Sequence, residues 1–447
     1  MFFGDRRTAD NECVNSGPDN TRLDALSALR IPHVAGFAFG RAASTLASQF
    51  VSVAVGWELY ERTNDPWALG LVGVAQVAPA LVLMLPAGSI ADRFPRRNVA
   101  ILAQSLLTSA ALGLALVSVF HGPIELIYVL LMLSGIGRAF AAPSITTLLA
   151  QLLTPREFQN AYAWLVSSGQ LASIAGPAIG GLLIALSGAS TPSYVAALVG
   201  QIVFIATLSR MPVVAPSPNP AKRTVGDLFA GVGFIRRNRI YLAAITLDLF
   251  GVLLGGAVAL LPIFAKDILQ VGPVGLGFLR SAPSVGAVLT ALFVTRLPPW
   301  KRPGRVLLLV VAGFGLATIG FGLSQNIYFS LFCLALTGAF DSISMVIRGT
   351  LEQALTPDRL RGRVAAVNSL FIGLSNEMGA FESGATAALF GPVLSVAGGG
   401  IGTLLIVGIV AMAFPMLVRV GPLHSLKPLE DTFVVAADEK VPTGVRA

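Results

Sequence analysis

Residues 87–100 read AGSIADRFPRRNVA. Long apolar runs stand on either side, yet Asp92, Arg93, Arg96 and Arg97 fall within one short turn. A charged side chain at the centre of a bilayer costs roughly 2.5–3.5 kcal/mol on insertion scales, so such a cluster marks a membrane surface. The stretch is read as a turn between two membrane-crossing helices. Gly88 lets those helices approach closely, the arginines hold the turn on one side of the membrane, and Asp92 stands where it can cap or pair with a neighbouring helix end.

The composition of the whole chain agrees. Of its 447 residues 54% are hydrophobic and 12% charged, about half the charged share of an average soluble domain. A soluble chain of this length divides into several domains with polar surfaces, and 23 acids with 31 bases are too few to cover them. The formal charge of +8 does not point to nucleic acid, because most of the bases fall between apolar runs instead of forming a soluble stripe. Cys13 and Cys333 supply no disulfide framework, and His33, His121 and His424 share no ligand spacing, so neither metal nor cofactor is implied. A membrane-embedded transferase would need a His/Asp/Ser constellation on one membrane face, which these scattered histidines do not offer. The first 30 residues lack the apolar core of a signal peptide, and the chain is expected to enter the membrane through its first span.

A spanning helix needs about 20 mostly apolar residues. Twelve stretches qualify, near 34–60, 67–90, 98–120, 124–153, 160–187, 192–210, 240–265, 274–296, 305–324, 327–355, 364–389 and 393–418. Twenty-five Lys and Arg residues lie in the N-terminal segment, the even-numbered loops and the C-terminal tail. The odd-numbered loops hold two, Arg62 and Lys266. This bias predicts that both termini are cytoplasmic.

The expected organisation is a cytoplasmic segment (1–33), a six-helix half (34–210), a cytoplasmic linker (211–239), a second six-helix half (240–420) and a cytoplasmic tail (421–447). The linker opens on Pro-rich sequence. Val225, Leu228, Phe229, Val232 and Ile235 then follow helical spacing and end on Arg236, Arg237 and Arg239. This is either an amphipathic helix on the membrane face or an ordinary soluble linker helix. The halves repeat each other: LLAQLLTPREFQNA (148–161) aligns with TLEQALTPDRLRGR (350–363), Gly176 and Gly181 match Gly379 and Gly384, and Gly73 and Pro79 match Gly277 and Pro283. Three matches in the same order indicate a duplicated six-span unit with a binding site between the repeats, a pattern of secondary transporters.

At this point the residues resemble a family. Gly88-x-x-x-Asp92-Arg93-x-x-Arg96-Arg97 between spans two and three is similar to the loop 2–3 signature of the major facilitator superfamily, with Pro95 where the family often has Gly. Gly176-Pro177-x-x-Gly180-Gly181 in span five resembles the glycine-proline motif of its exporters, with Ala172 where a Gly is usual. In span four Gly135-x-Gly137 fits, but Leu131 stands at the family's Arg position and Arg138 lies beyond. Residues 65–97, LRGRVAAVNSLF and NEMGAFESG resemble the branch that includes the bacterial enterobactin exporter and multidrug-type relatives. The resemblance implies an all-α fold of twelve transmembrane helices in two pseudo-symmetric six-helix halves. It also implies a loop 2–3 contact that latches the outward-open state.

Ionisable residues inside a membrane face a cavity or a partner. Ten fall within the spans: Arg41, Glu58, Arg138, Asp248, Arg280, Asp341, Arg348, Glu352, Glu377 and Glu382. Helical spacing puts Asp341, Arg348 and Glu352 on one face of span ten. This is a polar stripe along the central cavity with Asp341 as proton acceptor, or a structural Arg348–Glu352 pair. Asp248 and Arg41 lie at comparable depth in spans seven and one and either pair as a gate or bind backbone and water separately. Arg138 either holds an anionic substrate group or packs against carbonyls. Glu377 is the better coupling candidate of the two acids in span eleven, and Glu58 and Arg280 are placed nearer the outer face. The expected function is secondary active transport by a monomer in the bacterial inner membrane. Proton-coupled export of a siderophore or amphipathic drug is the first reading, and import of a sugar or organic anion on the same fold is the alternative.

Overall fold

The computed structural model describes residues 30–214, 225–296 and 300–422, and no β-strand occurs among them. The first half consists of α1 (Pro32–Thr63), α2 (Pro66–Arg93), α3 (Arg96–Val119), α4 (Ile124–Leu152), α5 (Pro155–Ser187) and α6 (Thr191–Ser209). After α7 (Val225–Arg237), span seven runs as α8 (Arg239–Leu254), a 3₁₀ turn, the single-turn α9 (Leu261–Ile263) and a π-turn over Phe264–Ile268. The second half continues with α10 (Gly272–Val294), α11 (Pro303–Gly322), α12 (Ile327–Leu355), α13 (Arg361–Phe390), α14 (Pro392–Ala413) and the short α15 (Pro415–Val418). Ten of these segments are long and apolar enough to cross a membrane. With α1 and α13, which are 32 and 30 residues long, the helices are consistent with the twelve expected spans. The chain is an all-helical multi-pass membrane protein.

Local sequence explains where the helices begin. Asp65 caps α2 by accepting from the Trp67 N–H, with Pro66 in the first turn, where a missing N–H costs nothing. The repeated Leu-Thr-Pro works the same way: Thr154 and Glu157 form a reciprocal capping box at the start of α5, and Pro155 follows the cap. In the second copy Thr356 closes α12, and Pro357 opens a 3₁₀ turn that leads into α13. Between α2 and α3 only Phe94 and Pro95 lie outside the helices, so Pro95 makes the turn the family often makes with Gly.

Two long contacts join the halves, α2 against α13 and α5 against α10. Under the duplication these are one contact seen twice. A Cβ added to Gly384 would stand 2.5 Å from the Gly70 Cα, and one on Gly277 would stand 2.5 Å from the Pro177 carbonyl oxygen, next to Gly181. Only glycine permits such backbone approach. The contacts pair Gly70, not Gly73, with Gly277 as structural counterparts. Gly176 and Gly180 face Gln49 and Phe50 of α1, so the span-five motif seats α5 between its own half and the other.

One apolar cluster spans both halves at the end carrying the turns at 63–66 and 268–272; it includes Trp57, Leu59, Leu260, Phe264 and Leu276. At the opposite, basic end each half has its own cluster, around Phe37, Leu148 and Phe204 in the first and Tyr241, Ile347 and Val364 in the second. α7 belongs to the second: Ile235 is buried in that cluster, and Gly231 abuts Val367 and the Arg363 carbonyl. Phe229 stays exposed. The Pro-rich part of the linker, the N-terminal segment up to residue 29 and the tail from 423 lie outside the described residues.

Candidate functional site

Between the halves lies a cavity of about 550 Å³, within the range of small-molecule sites. Its first-half wall comes from Ser48, Gln49, Ser52 and Gly56 on α1, Gly73 and Gln76 on α2, Ser134 and Arg138 on α4, and Gln201 on α6. Its second-half wall comes from Gly255 to Ala259 after α8, Arg280 and Pro283 on α10, Phe314 and Thr318 on α11, Thr337 and Asp341 on α12, and Asn376 and Glu377 on α13. Apolar groups, among them Val72, Val252 and Val258, form the remaining surface.

Four of the ten intramembrane charges line this cavity: Arg138, Arg280, Asp341 and Glu377. Arg138 donates from Nη2 to the Gln76 amide oxygen and lies within Coulombic reach of Glu377. Arg280 donates from Nη1 to the Ser52 hydroxyl across the inter-half boundary. The spacing of span eight had put Arg280 near the outer face, but the cavity reaches it because Gly56 leaves room beside its guanidinium.

The pairings differ from those the sequence suggested. Arg348 makes an ion pair with Asp248 and lies 3.7 Å from Asp341, while its Nε donates to Ser344 Oγ at 3.2 Å. Asp248 therefore meets Arg348 instead of Arg41, and Arg348 meets two aspartates instead of Glu352. Glu352 accepts from the Tyr241 hydroxyl at 2.8 Å and from Asn368 Nδ2 at 2.7 Å, a structural role at the basic end. The Arg348 and Asp248 side chains are 8% and 10% exposed, but that of Asp341 is 43% exposed. Asp341 thus connects the cavity with a small pocket of about 20 Å³ that reaches Asp248. Arg41 makes no ion pair among the described residues. Glu58 pairs with Arg62 at 3.3 Å, and the Glu382 carboxylate accepts from Ser383 at 3.5 Å, away from the cavity lining.

Two features have no charge pattern that would reveal them in sequence. Gln104 and Gln201 join Ser44 in a buried hydrogen-bonded network behind the first-half wall. At the end where a single apolar cluster joins both halves, the pinched end, the Tyr60 hydroxyl donates to Asp267 from across the boundary, and Lys266 Nζ donates to Asn64 Oδ1 at 2.8 Å while sitting 5.3 Å from the Tyr60 ring centre. In the loop between α2 and α3, Arg97 donates from Nη2 to the Ser209 carbonyl at 2.6 Å, tying the turn to the end of α6; Gly88 is buried and Arg93 exposed. The Asp92 side chain lies outside the described residues.

Residues 37–380 match the Major Facilitator Superfamily. The chain belongs to this family. It is 30% identical to enterobactin exporter EntS of Shigella flexneri over 375 residues, covering 83% of this chain and 88% of the relative. The EntS of Escherichia coli O1:K1 is equally similar, at 30% over 374 residues. Among solved structures, a peptide transporter POT in complex with sulfate superposes with a TM-score of 0.67 at 14% identity, covering 87% of this chain and 96% of that one. A bacterial homologue of the human lysosomal transporter Spinster, in an inward-facing and unoccupied conformation, gives 0.65 at 13% identity, covering 87% and 96%. The family and fold make this chain a transporter of a small molecule and not an enzyme.

Proposed function

We propose that the chain is a proton-driven exporter of the bacterial inner membrane, carrying a siderophore or a similar amphipathic molecule by rocking its two halves around the central cavity. The observation that carries this reading is the group Asp248–Arg348–Asp341. Two carboxylates, the buried Asp248 and the cavity-facing Asp341, share one guanidinium, so full ionisation leaves a net negative charge beside a buried ion pair, and one bound proton removes it. Asp341 opens on the cavity, so a substrate there and a proton on the pair can exclude each other. Such exclusion is the basis of antiport. The basic loops then face the cytoplasm, both termini lie on that side, and the pinched end with Tyr60 and Asp267 faces outward, which makes the described state inward-open. One chain encloses the whole cavity, so a monomer surrounded by lipid suffices.

Enterobactin, named for the relatives, is the first candidate. In everted membrane vesicles its addition is expected to release protons, and Asp341→Asn and Asp248→Asn are expected to abolish that release. Undiminished proton-coupled flux in both variants would refute the coupling role while leaving the fold untouched.

A further inference from the structure

Of the three arginines that reach into or behind the cavity, two have acids nearby. Arg348 sits between Asp248 and Asp341, and Arg138 lies beside Gln76 within Coulombic reach of Glu377. Arg280 has none within ion-pair distance among the described residues, although Asp341 and Glu377 line the same cavity. Its Nη1 is held by the Ser52 hydroxyl, its Nε is buried without any partner, and its Nη2 has no hydrogen-bond acceptor among the described residues. Burying a cation without a counter-charge is costly, and the cost is recovered when an anion arrives. The free Nε–Nη2 edge is the side of a guanidinium that binds a planar or tetrahedral oxyanion through two parallel hydrogen bonds. Ser52 fixes the opposite edge, so the fork is already oriented. Phe314 and Val258 on the same wall provide apolar surface for the rest of a ligand.

We infer that Arg280 recognises an oxyanion on the transported molecule, so that the substrate class is organic anions with an apolar body: carboxylates, sulfonates, phosphates or ionised catechols. This rests on the transport reading. Because Arg280 projects from α10 and is held by α1, an anion docked on it sits at the boundary between the halves and senses their relative motion.

A matched pair of fluorescent probes tests this with the full chain in nanodiscs, after subtraction of empty nanodiscs: anilinonaphthalene sulfonate and its neutral counterpart phenylnaphthylamine. The protein is expected to bind the sulfonate at least about tenfold more tightly than the neutral amine, the scale of one charge-assisted hydrogen-bonded pair. Arg280→Gln should remove that preference and leave the neutral amine's affinity unchanged, which also reports an intact cavity. Arg280→Lys should keep part of it, having charge without a fork. Equal affinities in the wild-type protein, or an undiminished preference in Arg280→Gln, would overturn the inference; if Arg280→Gln does not insert, an undiminished preference in Arg280→Lys does so. Flux of both probes in proteoliposomes under a pH gradient separates the two readings. Flux of the neutral amine alone refutes the anion site and leaves transport standing. Absence of flux with Arg280-dependent binding refutes transport and leaves the site.

Discussion

The two halves share one backbone plan but line the cavity with different chemistry. The first half presents neutral amides, Gln49, Gln76 and Gln201, with a single cation, Arg138. The second half presents the acids Asp341 and Glu377 and holds Asp248 and Arg348 directly behind them. Duplication conserved the parts that set helix packing, the glycines at the seams and the Leu-Thr-Pro turns, and left the wall free to diverge. On the proposed reading, proton handling is thereby confined to the second half, while the first contributes mainly neutral hydrogen bonding beside Arg138.

The most damaging test of that division is Arg348→Met. It leaves the buried Asp248 with no counter-charge, next to a second carboxylate on Asp341, and a loss of about 3–5 kcal/mol in stability is expected, read as a large drop in melting temperature in detergent. Arg138→Met should cost less, because Glu377 stands on the open cavity and Gln76 is neutral. Asp341→Asn should flatten the pH dependence of flux, since proton uptake at the pair no longer limits turnover. Gln104→Leu should lower stability by about 1–2 kcal/mol through the lost amide network while leaving that pH profile unchanged. A pH profile altered equally by both variants would erase the distinction between the halves. The smallest effect is expected from Tyr60→Phe, which removes one cross-boundary hydrogen bond worth about 1 kcal/mol. Spin-label distances across the pinched end should then show a modest rise in the outward-open population.

The sequence made the architecture legible because a bilayer imposes long apolar helices and the Lys/Arg asymmetry marks the loops. The duplication was legible for a similar reason, since Thr154–Pro155 and Gly384 do jobs that few residues can do. Individual pairings were harder. Helical spacing placed Asp341 and Arg348 on one face of α12, which the structure keeps, but it carries no information about what another helix brings to that face. Asp248 arrives from α8 and takes the place that Glu352, four residues along, had seemed to fill. That Arg280 lines the cavity was not legible, because sequence position along a helix does not reveal how far a cavity extends. The amides were not legible because no charge marks Gln76 and Gln201, and their recurrence near small residues such as Gly73 and Gly200 is a weak signal.

The bare-backbone seams have a kinetic consequence. Where Gly70 meets Gly384 and Gly181 meets Gly277 the backbones touch directly, so at these points the surfaces can roll with no side chain in between, and on the α2–α13 seam Trp67 and Phe381 meet edge-on one turn away. The activation enthalpy of the rocking step should accordingly be low and turnover only weakly dependent on temperature. A single methyl group at Gly384 would stand 2.5 Å from the Gly70 Cα and wedge the seam open, so it would destabilise the resting protein as well as obstruct the roll.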